Sequence, residues 1–194
     1  MASGRTIVVA RWISRVGHPF VLPLVALLIV TLQVVPPWQA LGIVALTLVT
    51  TTVPLLIYTR RQIRRERWTD YDVSVRQDRY RLYPLLLAVL GLSALVFWFV
   101  GGPRFMIRGL LASMVLAFAA MLANLVLKVS LHTALSVFCA LVILALNNWL
   151  GIGACIFAML IGWSRVVLKR HTTAEVISGA LLGSIVGVAL VLSS

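Results

Sequence analysis

Acidic residues are scarce in this chain: Asp and Glu together number 5 among 194 residues, against 17 Lys and Arg. Charged residues of both signs make up 11% of the sequence, whereas 61% of the residues are hydrophobic, and the mean hydropathy is +1.05. A soluble domain carries about 25% charged residues, so this composition excludes an ordinary soluble domain. The sequence therefore predicts an integral membrane protein.

Cysteine is almost absent as well. The only two, Cys139 and Cys155, fall inside apolar runs, where a packed thiol is more common than a disulfide or a metal ligand. A disulfide framework and a cysteine metal cluster are thus excluded as the basis of the fold.

The N-terminal segment, residues 1–17, lacks the uninterrupted apolar centre and the small-residue cleavage site of a secretory signal. We expect it to stay in the mature protein as a basic segment at the membrane interface. A short interfacial helix and an unstructured tail are both compatible with its sequence.

Apolar runs of the length that a bilayer requires dominate the remainder of the chain. They lie near residues 18–36, 38–58, 83–100, 106–127, 132–148, 150–168 and 174–193. Turn sequences, such as Gly101-Gly102-Pro103 and Asn147-Asn148, separate them. The sequence predicts an all-α polytopic transmembrane bundle with six to seven spans, forming a single domain over residues 18–194. Glycines at every fourth position of the last run, 179, 183 and 187, predict close helix packing.

Positive charge is distributed unevenly among the loops. Fifteen of the 17 Lys and Arg residues lie before residue 18, between 60 and 81, at 128, or between 165 and 170. Counting spans places these four regions on one face, which the positive-inside rule makes cytoplasmic. Because the cations lie between apolar runs rather than on a soluble basic surface, the expected partner is the lipid bilayer and not nucleic acid.

Two compact polar clusters lie at the ends of apolar runs on that face. The first contains Lys128, Ser130 and His132, and the second contains Arg165 and His171 with their neighbours. Charges this close to hydrocarbon are costly, which favours a functional role. Two imidazoles with nearby cations suit phosphoryl transfer, since cations hold the oxygens while one ring attacks phosphorus and the other protonates the leaving oxygen.

Glu175 follows His171 by four residues, or one helical turn. At this spacing its carboxylate can orient the imidazole and stabilise the cation that forms during attack.

The second cluster resembles the third motif of the type 2 phosphatidic acid phosphatase superfamily. Residues 164–175, SRVVLKRHTTAE, keep its pattern of Ser-Arg, five residues, His, three residues and an acid, with Glu175 in place of Asp. Residues 128–132, KVSLH, resemble a variant of the second motif, PSGH, with Val for Pro and Leu for Gly. The resemblance covers residues 128–175 and implies a catalytic core at about 83–193.

The resemblance also implies roles for individual residues. It makes His171 a nucleophile that forms a phosphohistidine and His132 the general acid. It assigns phosphate binding to Arg165 and Lys128, with Ser130 beside them, and it implies no metal and no other cofactor.

The superfamily's first motif, a lysine, six residues and Arg-Pro, is absent as such. Lys128 can supply its lysine, and Arg79 or Arg81 can supply the missing guanidinium, because their loop shares the basic face. Anchoring of these two arginines at the membrane surface is the equal alternative.

We therefore expect metal-independent hydrolysis of a phosphate monoester or diphosphate on a membrane lipid, of the phosphatidic acid or isoprenyl diphosphate type. The expected location is the plasma membrane of a prokaryote, with the site at the cytoplasmic face, and the oligomeric state is open. One alternative is a magnesium-dependent transferase that uses Asp70, Asp72 and Asp78. The other is a transporter or lipid-phosphate-binding scaffold without turnover.

Overall fold

The computed structural model describes residues 3–69, 71–73 and 75–193, and all regular structure in these ranges is helical. The helices are α1 Gly4–Val16, α2 Leu22–Val34, α3 Pro37–Thr47, α4 Val53–Arg64, α5 Arg79–Phe99, α6 Arg104–Ala123, α7 Leu131–Leu146, α8 Asn148–Val167 and α9 Thr173–Leu192. A π-helical turn, Leu48–Thr52, joins α3 to α4 directly before Pro54. Since proline lacks the N–H that a regular α-helix needs, the wider turn keeps this long helix continuous.

Five of these helical segments are long and apolar enough to cross a membrane: Pro37–Arg64, Arg79–Phe99, Arg104–Ala123, Asn148–Val167 and Thr173–Leu192. The apolar helices α2 and α7 are shorter. Each predicted apolar run thus contains a helix, and the predicted turns at 101–103 and 147–148 fall between helices. The protein is an all-helical membrane protein.

Aromatic residues mark one end of the bundle. Trp38 and Trp149 begin α3 and α8, Trp98 ends α5, and all three side chains are exposed. Tryptophan concentrates where hydrocarbon meets the polar headgroups, so these residues indicate one membrane boundary. The basic segments lie at the opposite helix ends.

The N-terminal segment contains a helix rather than a tail. Helix α1 packs against α8 and buries Ala10 and Ser14, while Trp12 stays exposed with the Arg15 guanidinium 5.6 Å from its ring. Of the two forms open from the sequence, the helical one is correct. This packing carries Ser14 and the following loop to the end of α8.

Helices α7 and α9 make backbone contact through the glycine stripe. A Cβ atom added to Gly179 would lie 2.5 Å from the Ser130 carbonyl oxygen, and one added to Gly183 would lie 2.2 Å from that of Ala134. The sequence predicted this close packing. Its consequence is that the start of α7 lies directly beside the start of α9.

We expect Gly183→Ala to destabilise the protein, because its methyl group would overlap the Ala134 backbone, which cannot move aside as a flexible side chain can. Overpacking of this kind costs about 1–3 kcal/mol or more. The measurement is thermal unfolding of the purified variant in detergent. Gly42→Ala is the matched control, since Gly42 has open space where a Cβ would lie. Equal melting temperatures for both variants would contradict the backbone contact.

Candidate functional site

Polar side chains gather at the basic end of the bundle and form what we call the polar cluster. Its members are Ser14, His18, Asp72, Arg79, Lys128, Ser130, His132, Arg165, His171 and Glu175. They come from seven parts of the chain: α1, the loops after α1, α4 and α6, the starts of α5 and α7, and the α8–α9 junction.

His171 lies in the short connection between α8 and α9, where Glu175 orients its ring. Glu175 Oε2 lies 2.8 Å from His171 Nδ1, so the extra methylene relative to Asp does not prevent the contact. The same carboxylate accepts a hydrogen bond from the Thr172 N–H and completes the capping box of α9. Glu175 therefore both caps the N-terminus of α9 and orients the His171 ring.

The other ring nitrogen of His171 faces Arg79. The Arg79 Nη2 atom lies 3.4 Å from His171 Nε2. Since Nδ1 donates to Glu175, Nε2 carries the free electron pair and accepts from the guanidinium. Arg79 is 2% exposed and also donates to the Val73 and Val129 carbonyls, at 3.1 and 2.6 Å. Arg79 therefore links Val73, in the loop after α4, to Val129, directly before α7.

Burial and positive charge keep His171 neutral. Its pKa falls to about 4, chiefly because burial disfavours the charged ring and then because Arg79 adds a nearby positive charge, with Arg165 and Lys128 acting in the same direction. The contact with Glu175 opposes this shift. A neutral imidazole with its electron pair on Nε2 has the protonation state that a nucleophile requires.

Lys128 connects the loop after α6 to the α8–α9 connection. Its ammonium group donates to the Arg170 carbonyl at 2.9 Å, and burial lowers the pKa of Lys128. The neighbouring Ser130 is fully buried, its N–H donates to the Glu175 carbonyl at 3.1 Å, and its hydroxyl accepts from Thr133. These bonds join the sequence-predicted Lys-x-Ser-x-His segment to the α9 start.

Arg165 is 1% exposed and connects the two halves of the cluster. Its carbonyl accepts from the His171 N–H at 3.3 Å, and its Nη1 donates to Asp72 at 2.8 Å and to Ser14 at 2.7 Å. Its Nε has no hydrogen-bond partner among the described residues. A buried guanidinium with a free donor indicates room for a further acceptor.

Asp72 lies between Arg165 and two histidines. Its Oδ1 atom lies 3.4 Å from His18 Nε2 and 3.6 Å from His132 Nε2. Burial by itself would raise the pKa of Asp72, but the contact with His18 and the charges of its basic neighbours outweigh burial and lower it. Asp72 is therefore ionised at neutral pH.

His132 is 4% exposed, and its Nε2 is a second buried polar atom without a hydrogen-bond partner within the described ranges. The His18 ring lies edge-on to it, with 5.3 Å between centroids. His18 Nε2 is a third such atom in the cluster. Orphaned buried donors cost about 1–3 kcal/mol each, so three of them in one cluster favour a polar ligand beside His132 and Arg165.

A metal ion is the first ligand to test against this geometry. One ligand atom from each of His18, Asp72 and His132 lies within 4.8 Å of the others. However, His18 Nδ1 accepts from the Phe20 N–H at 3.2 Å, so its Nε2 carries the proton, and this atom has no hydrogen-bond partner among the described residues. Arg165 already donates to the Asp72 carboxylate, so a metal ion would have to compete with this guanidinium.

The structure does not bring every predicted site residue into the cluster. Arg81 is exposed and lines a separate surface pocket together with Asp78 and Arg67, whereas Asp72 lies in the cluster. Of the three carboxylates proposed for magnesium, Asp72 and Asp78 thus line different pockets, and Asp70 lies outside the described residues.

Ser14 and His18 were not predicted as site residues from the sequence, and Asp72 was named only as a ligand in the alternative magnesium site. The signal that could have found His18 and Asp72 is that their residue types are rare in this chain. It has 3 histidines and 5 acidic residues in total. Cluster members before residue 83 also include Arg79, so the site extends beyond the predicted core.

An elongated cavity of about 600 Å³ opens from the polar cluster into the bundle. His18, Asp72, Arg79 and His132 line its polar end, and helices α2, α5, α6 and α7 supply most of its walls.

Comparisons with known proteins add no relative: no family model, no curated protein and no solved structure matches this chain significantly.

Proposed function

We propose that this membrane protein hydrolyses a phosphate monoester or diphosphate on a lipid, without a metal, through a phosphohistidine. The observation that carries the proposal is that two buried imidazoles, His132 and His171, lie in one polar cluster with the buried Arg165. The motif resemblance at residues 128–175 supports it.

Charge favours an anionic ligand in the cluster. Three permanent cations, Arg79, Lys128 and Arg165, face two carboxylates, Asp72 and Glu175, so neutral histidines leave one net positive charge. A phosphate can accept from the free Arg165 Nε and from His132 Nε2. Binding would thus satisfy both orphaned atoms as well as neutralise the charge.

In the proposed reaction, His171 Nε2 attacks phosphorus and the bond to the lipid oxygen breaks. The Nδ1 proton stays on the ring, where the Glu175 carboxylate stabilises the positive charge. The phosphate monoanion brings one proton, which neutral His132 accepts on binding and then donates to the departing oxygen. Arg79 and Arg165 neutralise charge on the phosphoryl oxygens, and Arg79 turns from His171 Nε2 to one of these oxygens so that the nitrogen can attack. Water then attacks the phosphohistidine, His132 takes back a proton, and inorganic phosphate leaves.

The cytoplasmic face of a prokaryotic plasma membrane is the proposed location of this site, because the cluster lies among the basic segments. The substrate would then be a lipid phosphate accessible from inside the cell.

The test is phosphate release by purified protein in nanodiscs from phosphatidic acid, lysophosphatidic acid and farnesyl diphosphate, with and without EDTA. We expect release from at least one lipid, unchanged by EDTA, and a radiolabelled phosphoenzyme that is stable to base and labile to acid. Release that stops with EDTA and returns with added metal would instead support catalysis by an ion at His18, Asp72 and His132. No release from any lipid would overturn the proposal and favour a transporter or scaffold.

A further inference from the structure

The elongated cavity follows the long axis of α7. It is lined by His132 near the start of this helix and by Leu146 at its end. At 1.5 Å per residue these positions are about 21 Å apart, which is most of the roughly 30 Å hydrocarbon core of a bilayer. The cavity therefore reaches from the polar cluster almost to the opposite membrane boundary.

The middle of the cavity has mainly apolar walls, and at the far end Arg108 lines it beside Gly109, with its guanidinium donating to the Ser193 carbonyl at 3.3 Å. The lining hydroxyls of Thr47 and Ser113 donate to the Ile43 and Gly109 carbonyls of their own helices, both at 2.8 Å. Such hydroxyls present no free donor to the cavity. An apolar cavity without polar partners does not hold water well, but it accommodates hydrocarbon.

The volume is sufficient for a long hydrocarbon chain. A methylene group takes up about as much space as a water molecule, roughly 30 Å³ in the liquid, so about 600 Å³ holds at least on the order of 20 carbon atoms.

We propose that the cavity binds a hydrocarbon chain of the lipid phosphate, with the phosphate in the polar cluster, and that Gly109 sets the longest chain accepted. The inference rests on the proposed function for the position of the phosphate. Its independent support is that His18 Nε2 and His132 Nε2, two buried atoms without hydrogen-bond partners among the described residues, both belong to residues that line one end of the cavity, while its middle is mainly apolar.

Gly109 lies six residues inside the end of the bundle opposite to the histidines, since α6 follows the Gly101–Pro103 turn. It lines the cavity, and a Cβ added there would meet nothing within 4 Å. Ser113 lines the cavity one turn closer to the polar cluster, about 6 Å along the helix. Large side chains at these two positions would close the cavity at two depths.

The experiment compares phosphate release from geranyl, farnesyl and geranylgeranyl phosphates by purified protein in nanodiscs. Gly109→Phe should lower the rate on geranylgeranyl phosphate relative to farnesyl phosphate by about tenfold or more, because the last prenyl unit loses its buried contacts. Ser113→Phe should lower the farnesyl rate relative to the geranyl rate as well. Gly153→Phe is the matched control, since Gly153 also has open space around it but is exposed on α8 and lines no part of the cavity.

A second readout separates this inference from the proposed function. Geranylgeraniol, which has no phosphate, should raise the melting temperature of the wild type and of Gly153→Phe more than that of Gly109→Phe. If no lipid phosphate is hydrolysed but this pattern holds, the cavity binds the chain and the proposed function is wrong. If prenyl phosphates are hydrolysed with the same chain-length ratios in all three proteins, the inference about the cavity fails and the function stands.

Discussion

His171→Asn is expected to abolish phosphate release, with a loss of about 10³-fold or more, because no other described side chain of the cluster combines a neutral ring nitrogen with an oriented partner. Asparagine keeps a polar group of similar reach but cannot form the phosphoenzyme. The measurement is release from the best lipid phosphate, together with trapping of radiolabelled phosphate on the protein. Retained turnover with a labelled intermediate in the variant would remove His171 from the reaction.

Glu175→Gln provides the companion variant that separates catalysis from folding. Glutamine at this position of the capping box can still contact the helix start, so α9 should form normally. The substitution removes the negative charge beside His171 Nδ1 and should reduce turnover by about 10²-fold while leaving thermal stability near that of the wild type. Equal losses of activity and stability would instead indicate a purely structural contact.

Much of the architecture could be predicted from composition and spacing. Apolar runs of bilayer length predict helices because unpaired backbone groups are too costly in lipid, and the glycine stripe predicts close packing because only glycine permits backbone contact. The apolar runs do contain helices, and Gly179 and Gly183 lie against the backbone of α7. Which of the shorter runs, near 18–36 and 132–148, span the membrane fully does not follow from length alone, since their helices have only 13 and 16 residues.

The site was predictable only where its residues are close in sequence. The spacing of His171 and Glu175 on one helical turn fixes their contact, and the structure shows it at 2.8 Å. Contacts between distant segments had no such signal. Asp72 meets Arg165 across 93 residues, and Ser14 meets it across 151, so both depend on how α1 and the 65–78 loop pack on α8. Packing of that kind is not encoded in any local pattern.

For Arg79 and Arg81, too, the sequence did not predict which residue reaches the site. Two residues apart in one helix, they point in different directions, since successive positions advance by about 100°. Arg79 is buried beside His171, whereas Arg81 is exposed in a separate pocket. The sequence left the choice between them open, because it did not show which side of α5 faces the α8–α9 junction.

Arg79→Gln is therefore expected to lower kcat/KM by about 10²-fold or more, whereas Arg81→Gln should change it by less than about twofold. The reason is that only Arg79 has its guanidinium within 3.4 Å of His171 Nε2, where the phosphoryl oxygens would lie during attack. The measurement is steady-state phosphate release for both variants under identical conditions. Similar losses in the two would indicate a general effect of surface charge on lipid binding.

The pH profile gives Arg79 a signature that a structural role would not produce. Attack requires neutral His171, and burial together with the Arg79 charge lowers its pKa to about 4, so the acid limb of the wild-type activity profile should lie near pH 4. Removing the charge in Arg79→Gln raises the pKa of His171 and should move this acid limb to higher pH. Arg79→Lys keeps the charge but not the planar donors, so its limb should stay near the wild-type position while its turnover falls. An acid limb that is unchanged in Arg79→Gln would show that the guanidinium does not act on His171.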